Sequence, residues 1–200
     1  MWPLILSVFL SFALGAIPTG FWLGKLLGRD IREVGSGNTG ATNASRALGK
    51  KAGILVLVLD AAKGWVPVVF LAPWSFAQGS VGVPELHQAL LGFAAVSGHV
   101  WSPFLQFKGG KGVATGAGVA LALRPVYFLA GFVIFVGFLL LWRRVSIGSL
   151  GAALVIPLIS VVRADRPEIS VCLAAVSALI ILRHRANIRR LMHGEEKPLF

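Results

Sequence analysis

From residue 113 to residue 142 the chain carries a single charge, Arg124. An apolar stretch of that length suits no strand and no core helix of a small soluble domain, because about 20 apolar residues already span a bilayer as a helix. Arg124-Pro125 divides the run, since the residue before a proline resists helix and proline removes a donor. A short helix over 111–122 and a longer one over 125–142 are therefore expected. Further apolar runs at 3–24, 53–72, 87–105, 147–162 and 168–183 alternate with short polar islands. With 56% of 200 residues hydrophobic, only 14% charged and a mean hydropathy of +0.80, no soluble interior could hide the apolar surface. The sequence reads as an all-α integral membrane protein. It predicts a bundle of seven transmembrane helices in a single polytopic domain over 1–200, with the short fourth helix spanning incompletely.

Orientation follows from the basic residues. No basic segment precedes the first apolar run, whereas Lys25, Arg29 and Arg32 follow it. A cleaved signal peptide has the reverse flanks, so the first helix reads as uncleaved with its N-terminus outside and the C-terminus cytoplasmic. In that topology the outer side holds only Arg124, Arg163 and Arg166, and Lys63 falls within a span. The other lysines and arginines lie in the loops after helices one, three and five and in the tail, all on the cytoplasmic face. The formal charge of +11 then reports orientation and an anionic ligand, not nucleic acid. Cys172, the one cysteine, sits in an apolar run, so an intrachain disulfide or a cysteine metal site is not expected. His87, His99, His184 and His193 have no metal-ligand spacing, and no cofactor is expected.

The polar islands carry the chemistry. The first, residues 34–53, reads VGSGNTGATNASRALGKKAG. Its glycines allow tight turns that present N–H groups, its hydroxyls and amides add donors, and Arg46, Lys50 and Lys51 add charge, which together suit a phosphate. The plain alternative is a flexible loop that only fixes orientation. The second, FKGGKGVATGAG, sets Gly109, Gly110 and Gly112 around Lys111 just before a helix, where free N–H groups and the dipole favour an anion. It lacks the Walker A pattern, and a snorkelling lysine turn is the alternative. The third, VSIGS at 145–149, follows Arg143 and Arg144. In the tail, His184 and Asn187 are three apart on a helix flanked by arginines, which can face a phosphate or rest on acidic headgroups. Asp60 and Lys63 share a helical face inside a span and read as a structural ion pair or, alternatively, as catalytic groups. His99 reads as a helix-end hydrogen bonder.

Taken together and in order, SGNTGATNASRALGKKAG, GHVWSPFLQFKGGKGVATGAG, VSIGS and HRANIRRLMHGEE resemble the bacterial acyl-phosphate:glycerol-3-phosphate acyltransferase family over nearly the whole chain. The resemblance implies an inner-membrane enzyme of phospholipid synthesis with its active site on the cytoplasmic side. It would acylate the 1-hydroxyl of glycerol 3-phosphate from acyl phosphate, giving lysophosphatidic acid and inorganic phosphate. A soluble enzyme that makes acyl phosphate is the implied protein partner, with membrane lipid around the bundle. The first motif matches at Ser36, Asn38, Thr42, Asn43 and Arg46. The second, used for glycerol 3-phosphate, matches at Lys108, Gly109, Gly110, Lys111 and Gly112. The third matches at His184 and Asn187, with a structural glutamate at Glu195 or Glu196. The LDxxKG-like segment 59–64 also fits.

The residues support the chemistry separately. The fifth positions after the four histidines are Gly92, Phe104, Arg189 and Pro198, so the His-x-x-x-x-Asp base of coenzyme-A-dependent acyltransferases is missing. Acyl phosphate is an activated mixed anhydride, so direct transfer by positioning and charge stabilisation suffices. Ser36, Arg46 and Lys111 are expected to hold phosphate oxygens, with N–H groups of residues 37–40 toward the oxyanion. The proton goes to the leaving phosphate or to His184. Gly37, Asn38, Thr42, Asn43, Lys108, Gly109, Gly110, Gly112, Ser146, Ser149 and Asn187 are the expected substrate contacts. A transporter for a phosphorylated solute is the rival reading, though transporters favour repeated halves and midplane sites. A membrane scaffold gives no reason for the glycine-rich islands.

Overall fold

Prolines and polar islands set where the helices stop. The computed structural model describes residues 1–79 and 81–199, and every regular element among them is helical. The first apolar run is two helices, α1 (Trp2–Ala16) and α2 (Thr19–Leu26), bent by 42° rather than the single helix expected over 3–24. Pro18 cannot donate to the ladder and holds Ile17 at ψ 115°, outside the helical region. The first island contains a helix of its own, α3 (Ala41–Leu48), and α4 (Lys50–Val66) starts directly after Gly49. A π-helical turn at Pro67–Leu71 carries α4 into α5 (Ala72–Ala77), making one continuous helix of 28 residues. The π turn accommodates the donor that Pro67 lacks. Residues 73–77, in the loop expected between the runs at 53–72 and 87–105, are thereby helical. Ser80 of that loop lies outside the described residues.

α6 (Pro84–Val100) is followed by a 3-10 turn at Pro103–Leu105. α7 (Val113–Leu123) and α8 (Pro125–Trp142) meet at Arg124-Pro125. α9 (Val145–Val162) takes in the whole VSIGS patch, so Ser146 and Ser149 lie on its opening turns and not in a loop. α10 (Pro167–Arg183) and α11 (Arg185–Met192) are bent by 55° about His184. By length and composition, Lys50–Ala77, Pro125–Trp142 and Val145–Val162 can each cross a bilayer. Two more crossings follow if each bent pair, α1 with α2 and α10 with α11, is one span.

Between lipid-exposed helices burial of apolar area drives little, so close packing of small residues does the joining. α1 runs along α6 with Gly15 against the Ala95 carbonyl and Gly98 against that of Phe12. α4 runs along α7 with Gly64 against Thr115 and Gly118 against Ala61. The main core joins Val96, Val100, Val119, Leu173, Val176 and Ile180 of α6, α7 and α10. A smaller cluster of Ile31, Ala44, Ala47 and Val56 seats α3 on α4. α8 packs on α9 and leaves most of its surface outward, as a helix facing lipid does.

Candidate active site

Islands separated by up to 150 residues of chain meet at the N-terminal ends of α7 and α9 and the C-terminal end of α10. Lys111 Nζ donates to Asn187 Oδ1 at 2.6 Å, and Asn187 Nδ2 donates to Glu196 Oε1 at 2.6 Å. The same carboxylate accepts from Ser146 Oγ at 3.0 Å and from Arg190 Nε at 2.6 Å. Its backbone carbonyl accepts from Arg144 Nε at 2.8 Å. Because Glu196 takes the amide nitrogen, the Asn187 oxygen is turned toward Lys111. Burial pushes Lys111 down to about 8, with Arg190, Arg46 and Arg183 adding repulsion and Glu196 opposing it. Burial alone would raise the Glu196 carboxyl, but hydrogen bonds from Asn187, Arg190 and Ser146 outweigh it and hold it below the usual glutamate range.

His184 is buried at the α10–α11 corner, and its Nδ1–H donates to the Ile180 carbonyl at 2.7 Å. A carbonyl only accepts, so Nε2 keeps its lone pair. Gly109 and Gly110 do not present their N–H groups: these donate to the Val100 and His99 carbonyls at 3.1 Å each. Their own carbonyls accept from Arg183. What glycine provides here is close approach, since a Cβ at Gly110 would collide with His99 Nε2. Gly112 adopts φ +81° as the N-cap of α7, aiming the first-turn N–H groups of that helix out beside Lys111. Lys108 is exposed on the same turn.

The first island stands beside this cluster and is braced from within. Asn43 is buried on α3: its Nδ2 donates to the Ile31 carbonyl at 2.6 Å and its Oδ1 accepts from the Ser36 N–H at 3.0 Å. Ser36 and Gly37 are exposed, Thr42 is half-buried, and Arg46 is exposed yet close enough to act electrostatically on Lys111. Two of the N–H groups expected to face an oxyanion are engaged, Gly37 with Val34 and Gly40 with the Asn38 side chain. Ser149 bonds its own helix at Val145 and stays apart from the Glu196 network, which Ser146 joins. The sequence places Arg144 beside the third patch and Arg190 among the arginines of the tail, but not as partners of Glu196. Arg190 was legible as the residue three after Asn187 on one helical face; Arg144 carried no such signal.

The fold and this cluster define a class: an all-helical, multi-pass membrane protein that gathers cations, an amide and a helix N-terminus at one end of its bundle. A family model described as glycerol-3-phosphate acyltransferase matches residues 5–194. The glycerol-3-phosphate acyltransferase of Trichlorobacter lovleyi is 47% identical over 93% of this chain and 92% of its own length. That of Listeria monocytogenes is 44% identical over 98% and 96%. A crystal structure of PlsY, an integral membrane glycerol 3-phosphate acyltransferase in its glycerol 3-phosphate form, superposes with a TM-score of 0.90. The identity is 41%, and the match covers 98% of this chain and 94% of that one. The lysophosphatidic acid form gives 0.88 at 40% identity. The chain belongs to the glycerol-3-phosphate acyltransferase family and is an integral membrane acyltransferase.

Proposed function

We propose that this acyltransferase moves a fatty acyl group from acyl phosphate to the 1-hydroxyl of glycerol 3-phosphate, releasing lysophosphatidic acid and inorganic phosphate. The observation that carries the reading is the Lys111–Asn187–Glu196–Ser146 cluster, set among arginines at the start of α7. The neighbours solved with glycerol 3-phosphate and with lysophosphatidic acid support the acceptor and the product. Lys111, Arg46 and Ser36 hold phosphate oxygens, and Asn187 fixes the lysine. Lys108, Gly112, Thr42, Asn38 and Gly37 line the approach, while Asn43, Gly109, Gly110, Ser146 and Ser149 shape it.

The acceptor hydroxyl oxygen attacks the acyl carbon as the bond to the phosphate oxygen breaks. Its proton passes to the departing phosphate, which leaves an acyl phosphate dianion fully deprotonated and is then a far stronger base than an imidazole. His184 Nε2 then serves to accept a hydrogen bond from the acceptor. The phosphate-bearing end of the bundle faces the cytoplasm at the inner membrane, with the N-terminus outside and the C-terminus inside. Seven crossings result when α6 and α7 join the three long helices and the two bent pairs. α7, with 11 residues or about 16 Å, reaches roughly halfway across a core of about 30 Å. A soluble acyl phosphate-forming enzyme would dock on that side.

The purified protein in lipid is supplied with glycerol 3-phosphate and either palmitoyl phosphate or palmitoyl-coenzyme A, and lysophosphatidic acid and free phosphate are followed. Product from palmitoyl phosphate alone is expected. Product from palmitoyl-coenzyme A alone would overturn the donor assignment.

A further inference from the structure

Asp60 and Lys63 are 1% and 5% exposed, inside a helix otherwise suited to lipid. A buried ion is expensive unless neutralised and hydrogen-bonded, and this one is neutralised by Lys63 of its own helix and hydrogen-bonded from α2. Asp60 Oδ1 accepts from Lys63 Nζ at 2.8 Å and from Thr19 Oγ1 at 2.5 Å, and His99 Nδ1 lies 3.9 Å from the same oxygen. Lys63 also donates to the Ile17 carbonyl at 2.9 Å, and Ser102 Oγ donates to that of Ala16 at 2.5 Å. These carbonyls are left over where Pro18 stops α1. The groups enclose a cavity of about 10 Å³, the size of a single water.

Capping the break in α1 accounts for Lys63 and Ser102 but not for His99 or for what lies on Thr19. The residue after Thr19, Gly20, presses on the Thr39 carbonyl of the first island, and Thr39 itself lines the cavity. On the other side His99 is the surface on which the second island is moulded. Its carbonyl receives the Gly110 N–H, and its Nε2 edge meets Gly110 so closely that no side chain fits. Both islands thus meet at one buried cavity, with Asp60, Thr19 and Thr39 on one side and His99 on the other, its Nδ1 beyond direct hydrogen-bond reach of the carboxylate.

We propose that Asp60 and His99 are positioning residues that tie the two islands to one buried point and so set the separation of Arg46 from Lys111. The inference rests on the assignment of those islands to glycerol 3-phosphate. Neither residue touches substrate; both act through the loops they hold. A displacement of about 1 Å between groups that grip one phosphate weakens the grip by tenfold or more. The effect falls on KM for glycerol 3-phosphate. A merely structural defect would lower the active fraction, and with it the apparent kcat, while leaving KM alone.

Two perturbations test it. Asp60→Asn with Lys63→Met removes both charges together, so no unpaired ion remains buried. His99→Gln leaves the charge pair intact and keeps a polar group beside Gly110 but cannot hold a nitrogen toward Asp60. Each is expected to raise KM for glycerol 3-phosphate about tenfold, and the combination to do no worse than either, because the same cavity is disturbed in all three. Wild-type KM in both, with the thermal midpoint kept, overturns the inference, as do effects that multiply. If the charge-pair variant does not fold, His99→Gln alone decides by the same criterion. Wild-type protein that forms no lysophosphatidic acid from any donor overturns the functional reading instead; active wild type with unshifted variants overturns only this one.

Discussion

The role proposed for Lys111 implies a pH limit on substrate binding that can be worked out in advance. Burial brings its ammonium from the ordinary 10.5 to about 8. The free site is then about nine-tenths protonated at pH 7 and about one-tenth at pH 9. If only the ammonium holds the phosphate, KM for glycerol 3-phosphate rises about tenfold over that interval, or about 1.4 kcal/mol of binding. The substrate phosphate does not confuse the reading, since its second ionisation near pH 6 is complete below the window. The assay is the initial rate of lysophosphatidic acid formation at pH 7, 8 and 9 with the glycerol 3-phosphate concentration varied. Lys111→Arg is the control: a guanidinium stays charged throughout, so its KM is expected to be higher but flat. A flat wild-type KM from pH 7 to 9, or the same break in the arginine variant, would refute the role given to Lys111. The sign for folding is opposite. A lysine depressed in the folded state weighs against the fold below pH 8, where it is charged in both states. That penalty lifts as pH rises from about 8 toward 10.5.

Gly110→Ala places a methyl into the His99 ring, and product formation is expected to fall about 100-fold while far-UV circular dichroism stays helical. Arg124→Ala breaks the paired hydrogen bonds to Asp165, at 2.7 and 2.5 Å, at the end of α7 remote from Lys111. The loss of about 1–3 kcal/mol lowers the thermal midpoint by about 2–4 °C per kcal/mol and leaves KM unchanged. Glu196→Gln loses the charged bond to Arg190, whose side chain is 38% exposed, so about 1 kcal/mol is expected from thermal unfolding. It also frees the Asn187 amide to turn, raising KM for glycerol 3-phosphate. The wild-type carboxylate, depressed in the folded state, keeps its contribution above the ordinary 4.5 and loses it as pH falls through the folded value, which acid unfolding of the two proteins checks.

Much of this was legible because lipid makes the hydrophobic pattern coarse. α8 runs from Pro125 to Trp142, the range its flanking proline and arginines mark in the sequence. Less legible were features set by contacts distant in the chain. The break at Pro18 lies inside a run read as one helix over 3–24, and it stands because Lys63 and Ser102 satisfy the carbonyls it frees. α3 was hidden because its alternating polar residues read as a loop, whereas Ala44 and Ala47 seat it on Val56. The glycines of the second island were read as N–H donors to an anion. The structure gives those donors to the end of α6, a pairing that no local pattern encodes. Glu196 and Glu195 are indistinguishable by sequence; only the approach of Ser146, Asn187 and Arg190 selects the former.

The two buried polar clusters differ in a way that assigns them different work. Around Asp60 the charges close on themselves: one carboxylate meets Lys63, and hydroxyls and carbonyls take the remaining valences, so little field leaves the site. Such a cluster suits holding elements together. Around Lys111 the balance is left open. Arg46, Arg183 and Arg190 all repel its charge, and Glu196 answers with a carboxylate already shared between Ser146, Asn187 and Arg190. An anion bound there would relieve this excess of positive charge. A phosphate dianion relieves it most, restoring the lysine proton that burial weakens. The arrangement therefore couples binding to protonation, and the predicted rise of KM above pH 8 is the outward sign of that coupling.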